Sequence, residues 1–138
     1  NGGLSAYVHS NSKIGVLLEL GCKKDETPSN AEFKQLLNDL CLHVAACNPR
    51  FLNADEVPAD ELAAEKSIYA KQVEGKPEQI VEKIVEGKVR KFYEEICLLE
   101  QGFVKEPKQT ITALLQETGK TLGDTLTIRR FVRFEIGR

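Results

Sequence analysis

Between residues 81 and 99 an apolar side chain returns every three or four positions: Val81, Val85, Val89, Phe92, Ile96 and Leu99. That period places them along one side of an α-helix, about five turns long. A stripe of this length is not stable facing water, so the rest of the chain has to supply an apolar surface against it. A first part of that surface lies just upstream. Pro58 stands where a first helical turn tolerates proline, Leu62, Tyr69 and Val73 form a thinner stripe, and Gly75-Lys76-Pro77 ends it. The second helix then runs from about Pro77 to Leu99, with Gly87 as the point where it would bend or be interrupted. Two helices joined by a tight turn make a helical hairpin over about 58–99, protruding from the rest of the fold.

The remaining segments predict a small sheet and two more helices. LSAYVH at 4–9 and KIGVLLEL at 13–20, separated by the polar Ser10-Asn11-Ser12, read as a β-hairpin, with Ile14, Val16, Leu18 and Leu20 on one face. Ser29 or Asn30 can cap the helix that follows, where Phe33, Leu36, Leu37, Leu40, Cys41 and Val44 keep helical spacing until Asn48-Pro49 stops it. Leu42, Ala45 and Ala46 lie off that stripe, so the end of this helix is apolar nearly all round and is expected to be covered on two sides. A loop around Pro107 precedes a shorter helix over 111–122. In the last strand Leu126, Ile128, Val132, Phe134 and Ile136 alternate with Thr127, Arg129, Arg133 and Glu135, and Arg130-Phe131 breaks the alternation once. The expected architecture is α+β: an antiparallel sheet of about three strands packed with helices, plus the helical hairpin.

A length of 138 residues is enough for one domain with one core, and 41% hydrophobic with 29% charged content is ordinary for a globular chain. The 21 acidic and 19 basic side chains leave a net charge of -2, without the broad positive field that nucleic-acid phosphates require. No direct nucleic-acid partner is expected, and no run approaches the roughly 20 apolar residues of a membrane span. The opening NGGLSAYVHS has neither the basic start nor the apolar stretch of a signal peptide and reads as an internal start.

Chemistry-bearing constellations are weak. Cys22, Cys41, Cys47 and Cys97 form no CxxC pair and have no histidine at zinc-finger spacing, and Cys41 and Cys97 sit among apolar positions, which fits a reducing compartment. Gly119-Lys120-Thr121 has the tail of a phosphate loop, but Leu114 stands where the first glycine is needed and a helix where the strand should be. The only histidines, His9 and His43, close a hairpin and edge a helical stripe, so neither is poised as the base of a nucleophilic triad. The carboxylates at Asp55-Glu56 and Asp60-Glu61 flank Pro58, where the positive end of a helix dipole favours them. An enzyme is not expected, nor is a cofactor or metal.

The segments KIVEGKVRKFYEEICLLEQGF (83–103), HVAACNPRF (43–51) and RRFVRFEIG (129–137) closely resemble the core of elongation factor Ts, the nucleotide exchange factor of the GTPase elongation factor Tu, and the similarity runs from about Leu4 to Gly137. The resemblance implies an elongation factor Ts core over 1–138, lacking the family's small N-terminal three-helix domain. Long members of that family carry two related core halves in tandem; short members carry one and pair as a dimer. SAYVHSNSKIGVLLEL, LCLHVAACNPRF and QGFVKEP resemble the second half of the long form, whereas IRRFVRFE resembles the end of the short form, so both architectures stay open. A homodimer or pairing with a second core half is implied in either case.

By the same resemblance, contacts to elongation factor Tu would come from Ile14 and Gly15 in the second hairpin strand, from His43, and from Val104 and Lys105 after the helical hairpin. Short members also insert an Asp-Phe pair near the GTPase's magnesium. Here Asp25 keeps the register, but Glu26 occupies the phenylalanine position. That departure favours an alternative: a module of the same fold that dimerises or docks on the translation machinery without promoting exchange. Bacterial cytoplasm, plastid stroma and mitochondrial matrix are all compatible with the family.

Overall fold

A computed structural model describes residues 1–137. The chain runs β1 (Gly2–Val8), β2 (Ile14–Gly21), α1 (Ala31–Cys47), α2 (Ala59–Gln72), α3 (Glu78–Ile96), β3 (Gly102–Phe103), β4 (Glu106–Thr110), α4 (Ile111–Leu122) and β5 (Thr127–Glu135). β1, β2 and β5 form one antiparallel sheet in that order, so the first and last elements share it as the sequence predicts. β3 and β4 pair as a separate two-stranded ribbon where the sequence suggested only a loop around Pro107. The class is α+β, and among the described residues no helix is long and apolar enough to cross a membrane.

α1 organises the core. Asn30 caps it, accepting from Glu32 N at 2.8 Å, and Asn48 ends it in the left-handed region, just before Pro49. Phe33, Leu37 and Leu40 pack toward the sheet, whose inner face presents Val16, Leu18, Leu20 and Ile128. Leu98, Phe103, Ile111 and Leu115 complete the same cluster from the segment that follows the helical hairpin. The helix is therefore covered on two sides, although Ala46 on its last turn stays exposed.

The helical hairpin of α2 and α3 is rooted in a second, smaller cluster of Val57, Phe92, Ile96 and Cys97. Backbone bonds lock that root: Arg50 N and Phe51 N donate to Ile96 O at 2.8 and 3.0 Å, and Leu98 N donates to Phe51 O at 2.8 Å. Farther out, Val81, Val85 and Val89 are only half-buried. Gly75 at its tip has φ +91, a conformation that costs glycine nothing. Two expectations are corrected here. α3 passes through Gly87 without a break. It also stops at Ile96 instead of Leu99: Cys97 turns extended to bridge Phe51, and residues 98–100 tighten into one turn of 3-10 helix that buries Leu98 fully.

The interruption at Arg130-Phe131 is a β-bulge. Glu19 faces Arg130 and Leu20 faces Ile128, which leaves Arg129 as the extra residue. One extra residue moves a period-two pattern to the opposite face, so Ile128 points into the core while Val132, Phe134 and Ile136 point out, 38%, 72% and 69% exposed. The expectation of a single apolar face along this strand is therefore corrected. Past the bulge, Arg133 turns inward instead; its Nη2 donates to Ala45 O at 3.1 Å and its Nη1 lies 2.8 Å from Glu135.

Leu40→Ala, at a fully buried site on α1, should lower unfolding free energy by about 2–5 kcal/mol in urea titration. Ile68→Ala, half exposed on α2, should stay within about 0.5 kcal/mol of the parent.

Candidate functional site

His43 lies on α1 with no exposed surface. Its imidazole is hydrogen-bonded at both nitrogens. Val104 N–H donates to Nδ1 at 3.0 Å, which fixes Nδ1 as the acceptor; Nε2–H then donates to Gln101 Oε1 at 2.9 Å. Gln101 is buried too, and its Nε2 donates to Glu95 O at 2.8 Å. Burial holds the imidazole below its ordinary pKa, partly offset by the bond to Gln101. Protonating Nδ1 would also set its N–H against that of Val104. The ring is a neutral strut between α1 and the segment following the helical hairpin, and in this conformation it offers no atom to a partner.

What the strut holds is exposed. Val104 and Lys105 form the turn between β3 and β4, Val104 37% exposed and Lys105 reaching back to Asp39 on α1 at 2.7 Å. Phe103 stacks beside the His43 ring, with centroids 6.1 Å apart. The backbone of this turn is thereby fixed on α1 while its side chains face solvent.

Ile14 and Gly15 begin β2. Ile14 packs against the main core, and Gly15 falls on the outer face of the sheet between Val8 and Phe134. A Cβ on Gly15 would meet nothing within 4 Å, so nothing in the fold requires glycine there. A glycine inside a strand weakens it, and open space above one is the mark of a surface that another backbone can approach closely.

Asp25 and Glu26 belong to the loop between β2 and α1, at the far end of β2, ~25 Å from Ile14 for eight residues of strand. Asp124 holds this loop. Its carboxylate accepts from Thr27 Oγ1 at 2.7 Å and from the backbone N–H groups of Lys23 (3.0 Å), Lys24 (3.1 Å) and Thr125 (2.6 Å). These bonds, the Thr27 hydroxyl foremost, keep it well below the usual carboxylate range. Asp25 accepts from the Asn1 side chain at 2.6 Å, and Glu26 is exposed at the head of the turn Thr27–Ser29.

The sequence-predicted residues therefore fall into two groups. α1 runs back along β2, as the reach of Arg133 from β5 to Ala45 O shows, so its C-terminal half lies toward the Ile14-Gly15 end, and His43 fixes Val104 and Lys105 there. Asp25 and Glu26 sit apart, by the start of α1. Burial raises the ordinary pKa of all four thiols, Cys97 to about 11, so none is prepared as a thiolate. This arrangement leaves fixed backbone and apolar side chains facing solvent.

A family model described as Elongation factor TS matches residues 1–138. The chain belongs to the elongation factor Ts family. It is 46% identical over 138 residues to Elongation factor Ts of Geobacter sulfurreducens, covering 99% of this chain and 64% of that protein. Against Elongation factor Ts of Acetivibrio thermocellus the figures are 47%, 99% and 64%. Against that of Thermodesulfovibrio yellowstonii, identity is 45% over 136 residues, covering 98% of this chain and 68% of that protein. The chain thus spans about two thirds of the length of these elongation factor Ts relatives.

Gln101 and Asp124 escaped the sequence reading. Gln101 carries no local signal, since its partners are 58 and 6 residues away. Asp124 follows Gly123 just past the end of α4, where an aspartate can accept backbone N–H groups of a neighbouring loop. His43 gives a pH prediction with a definite sign. Its folded pKa lies below the unfolded value of ~6.5, so its contribution is present above that pH and is lost as pH falls below it. His43→Ala should cost about 1–3 kcal/mol at pH 7.5 by leaving Val104 N–H and Gln101 unpaired. The gap between the two proteins should narrow at pH 5.5, and a gap that widens would contradict the neutral strut.

Proposed function

We propose that this chain is the core of a guanine nucleotide exchange factor that binds elongation factor Tu and promotes release of GDP during translation elongation. The observation that carries the reading is the family match over all 138 residues. Supporting it, the arrangement needs no chemistry of its own. A factor that binds the GTPase better when nucleotide is absent must weaken nucleotide binding by the same ratio, typically about 1–3 kcal/mol of coupling. Fixed surfaces suffice for that: the Val104-Lys105 turn held by His43, the open backbone at Gly15, and the loop with Asp25 and Glu26. On this reading Ile14, Gly15, Val104, Lys105, Asp25 and Glu26 touch the GTPase, and His43 positions Val104 without contact. The whole of 1–138 acts as one core unit, with α2 and α3 as its protruding arm, in a reducing compartment such as the bacterial cytoplasm.

A second proposal concerns pairing. Leu4, Val8, Leu17, Phe134 and Ile136 are 46 to 72% exposed, and the pairing registers put Leu4, Val8, Leu17 and Phe134 on the outer face of the three-stranded sheet. A sheet face of this kind fits another sheet, and a second copy or a second core half would supply it. The alternative of a non-exchanging module keeps one specific support: the exposed carboxylate of Glu26 stands where the family resemblance places phenylalanine.

Adding the chain to elongation factor Tu loaded with fluorescent GDP should speed release. Release no faster than the spontaneous rate, even after the remaining third of a relative's sequence is joined, would reject the exchange reading; binding without release would establish the non-exchanging module. Lys105→Ala should slow the stimulated rate roughly tenfold, about 1.4 kcal/mol, with thermal stability unchanged. In sedimentation, the parent should pair at micromolar concentration and Phe134→Glu should not; two monomers would remove the pairing surface.

A further inference from the structure

The open edge of β5 carries a feature that neither exchange nor pairing through the sheet face uses. β5 pairs with β2 along one edge and, among the described residues, with no strand along the other. Ile136 N donates across to Lys13 O at 2.8 Å, and backbone groups alternate sides along an antiparallel strand. The N–H and C=O groups of Phe131 and Arg133 therefore turn away from β2, past the bulge and toward the free edge.

That edge lines a cavity of about 620 Å³ whose other wall is the segment from Asn48 to Leu52 with Glu56. Four arginines line it, Arg50, Arg129, Arg130 and Arg133, together with Glu56. Their pairing is incomplete. Arg129 turns over Gly21, where it donates to Asn1 O at 2.8 Å and shares the carboxylate of Glu19 with Arg130, whose side chain is still 82% exposed. Arg50 pairs with Glu61 while 49% exposed. The Arg133 side chain is 10% exposed and is held by Glu135 and Ala45 O, while its Nε has no hydrogen-bond partner among the described residues. Glu19, Glu61 and Glu135 offset these charges, but Arg50 and Arg130 keep exposed N–H donors of their fork-shaped cations beside the strand backbone.

We propose that this edge accepts an extended, acidic peptide segment as a fourth strand of the sheet. Backbone hydrogen bonds to Phe131 and Arg133 would give register-independent affinity, and the arginines would select carboxylates on alternate residues of the added strand. The same chemistry disfavours a second copy at this edge. A second copy here would set the exposed arginines Arg50 and Arg130 of one chain near those of the other, and like charges oppose pairing.

The test titrates the 138-residue chain with a peptide of about eight residues that alternates glutamate with valine or threonine, read by amide hydrogen exchange and by fluorescence anisotropy. Expected are saturable binding that weakens with salt, at least tenfold slower exchange at the Phe131 and Arg133 amides, and loss of binding when alternate peptide amides are N-methylated. Arg130→Glu and, independently, Arg50→Glu should each weaken binding at least tenfold with thermal stability retained; both side chains are largely exposed, so the fold survives either change. Any of four results would overturn the proposal. They are no protection at millimolar peptide, equal affinity for a lysine-alternating peptide, inorganic phosphate alone reproducing the effect at the two amides, or concentration-dependent self-association that protects them without peptide.

Discussion

α1 is apolar around most of its circumference, and burying a helix of that kind from two sides is the constraint on which the other elements depend. The sheet covers one side with Val16, Leu18 and Leu20, and the chain must come back after the helical hairpin to cover the other with Leu98, Phe103 and Ile111. Each such side chain contributes about 1.5–3 kcal/mol when fully buried. The second cover brings a polar requirement with it, because His43 stands on the side of α1 that the returning segment buries. An unpartnered imidazole there would cost several kcal/mol on a desolvation scale. Gln101 and the Val104 amide remove that cost, and in doing so they set where the exposed Val104-Lys105 turn stands. Stability and surface presentation are thus produced by the same two hydrogen bonds.

The helical hairpin has a different character. Its root is bound by Phe92, Ile96 and Cys97 and by backbone bonds to Arg50 and Phe51, whereas its outer turns bury little. Opening free energies vary within a fold with the density of buried apolar contacts, so the outer hairpin belongs to the low end and the α1 layer to the high end. An arm that is firmly rooted and loosely packed beyond its root can move while the α1 layer and the Val104-Lys105 turn stay in place.

The outer sheet face and the β5 edge are separate resources, although the same bulge creates both. Without the extra residue at Arg129, Val132 and Phe134 would continue the inward pattern of Ile128 and Arg133 would face outward. With it, the apolar residues gather on the open face and Arg133 is drawn under the edge beside Ala45. A single inserted residue therefore exchanges the polarity of the two faces along half a strand.

Periodicity in the sequence determined the elements and their order: the β-hairpin, α1 with its cap at Asn30, the two arms of the helical hairpin, α4 over 111–122 and a last strand with one break. These are local properties, readable because apolar spacing and capping residues act within a few positions. The matching segments likewise indicated the elongation factor Ts family before any coordinates. Tertiary structure alone decided the rest. Whether His43 faces a partner or the core depends on Gln101 and Val104, about sixty residues away. The end of α3 depends on the bridge from Cys97 to Phe51, the ordering of the Asp25 loop on Asp124 at the other end of the chain, and the face shown by Phe134 on its register against β2. In each case the deciding partner is distant in sequence, and the spacing of residues along a strand or helix carries no record of it.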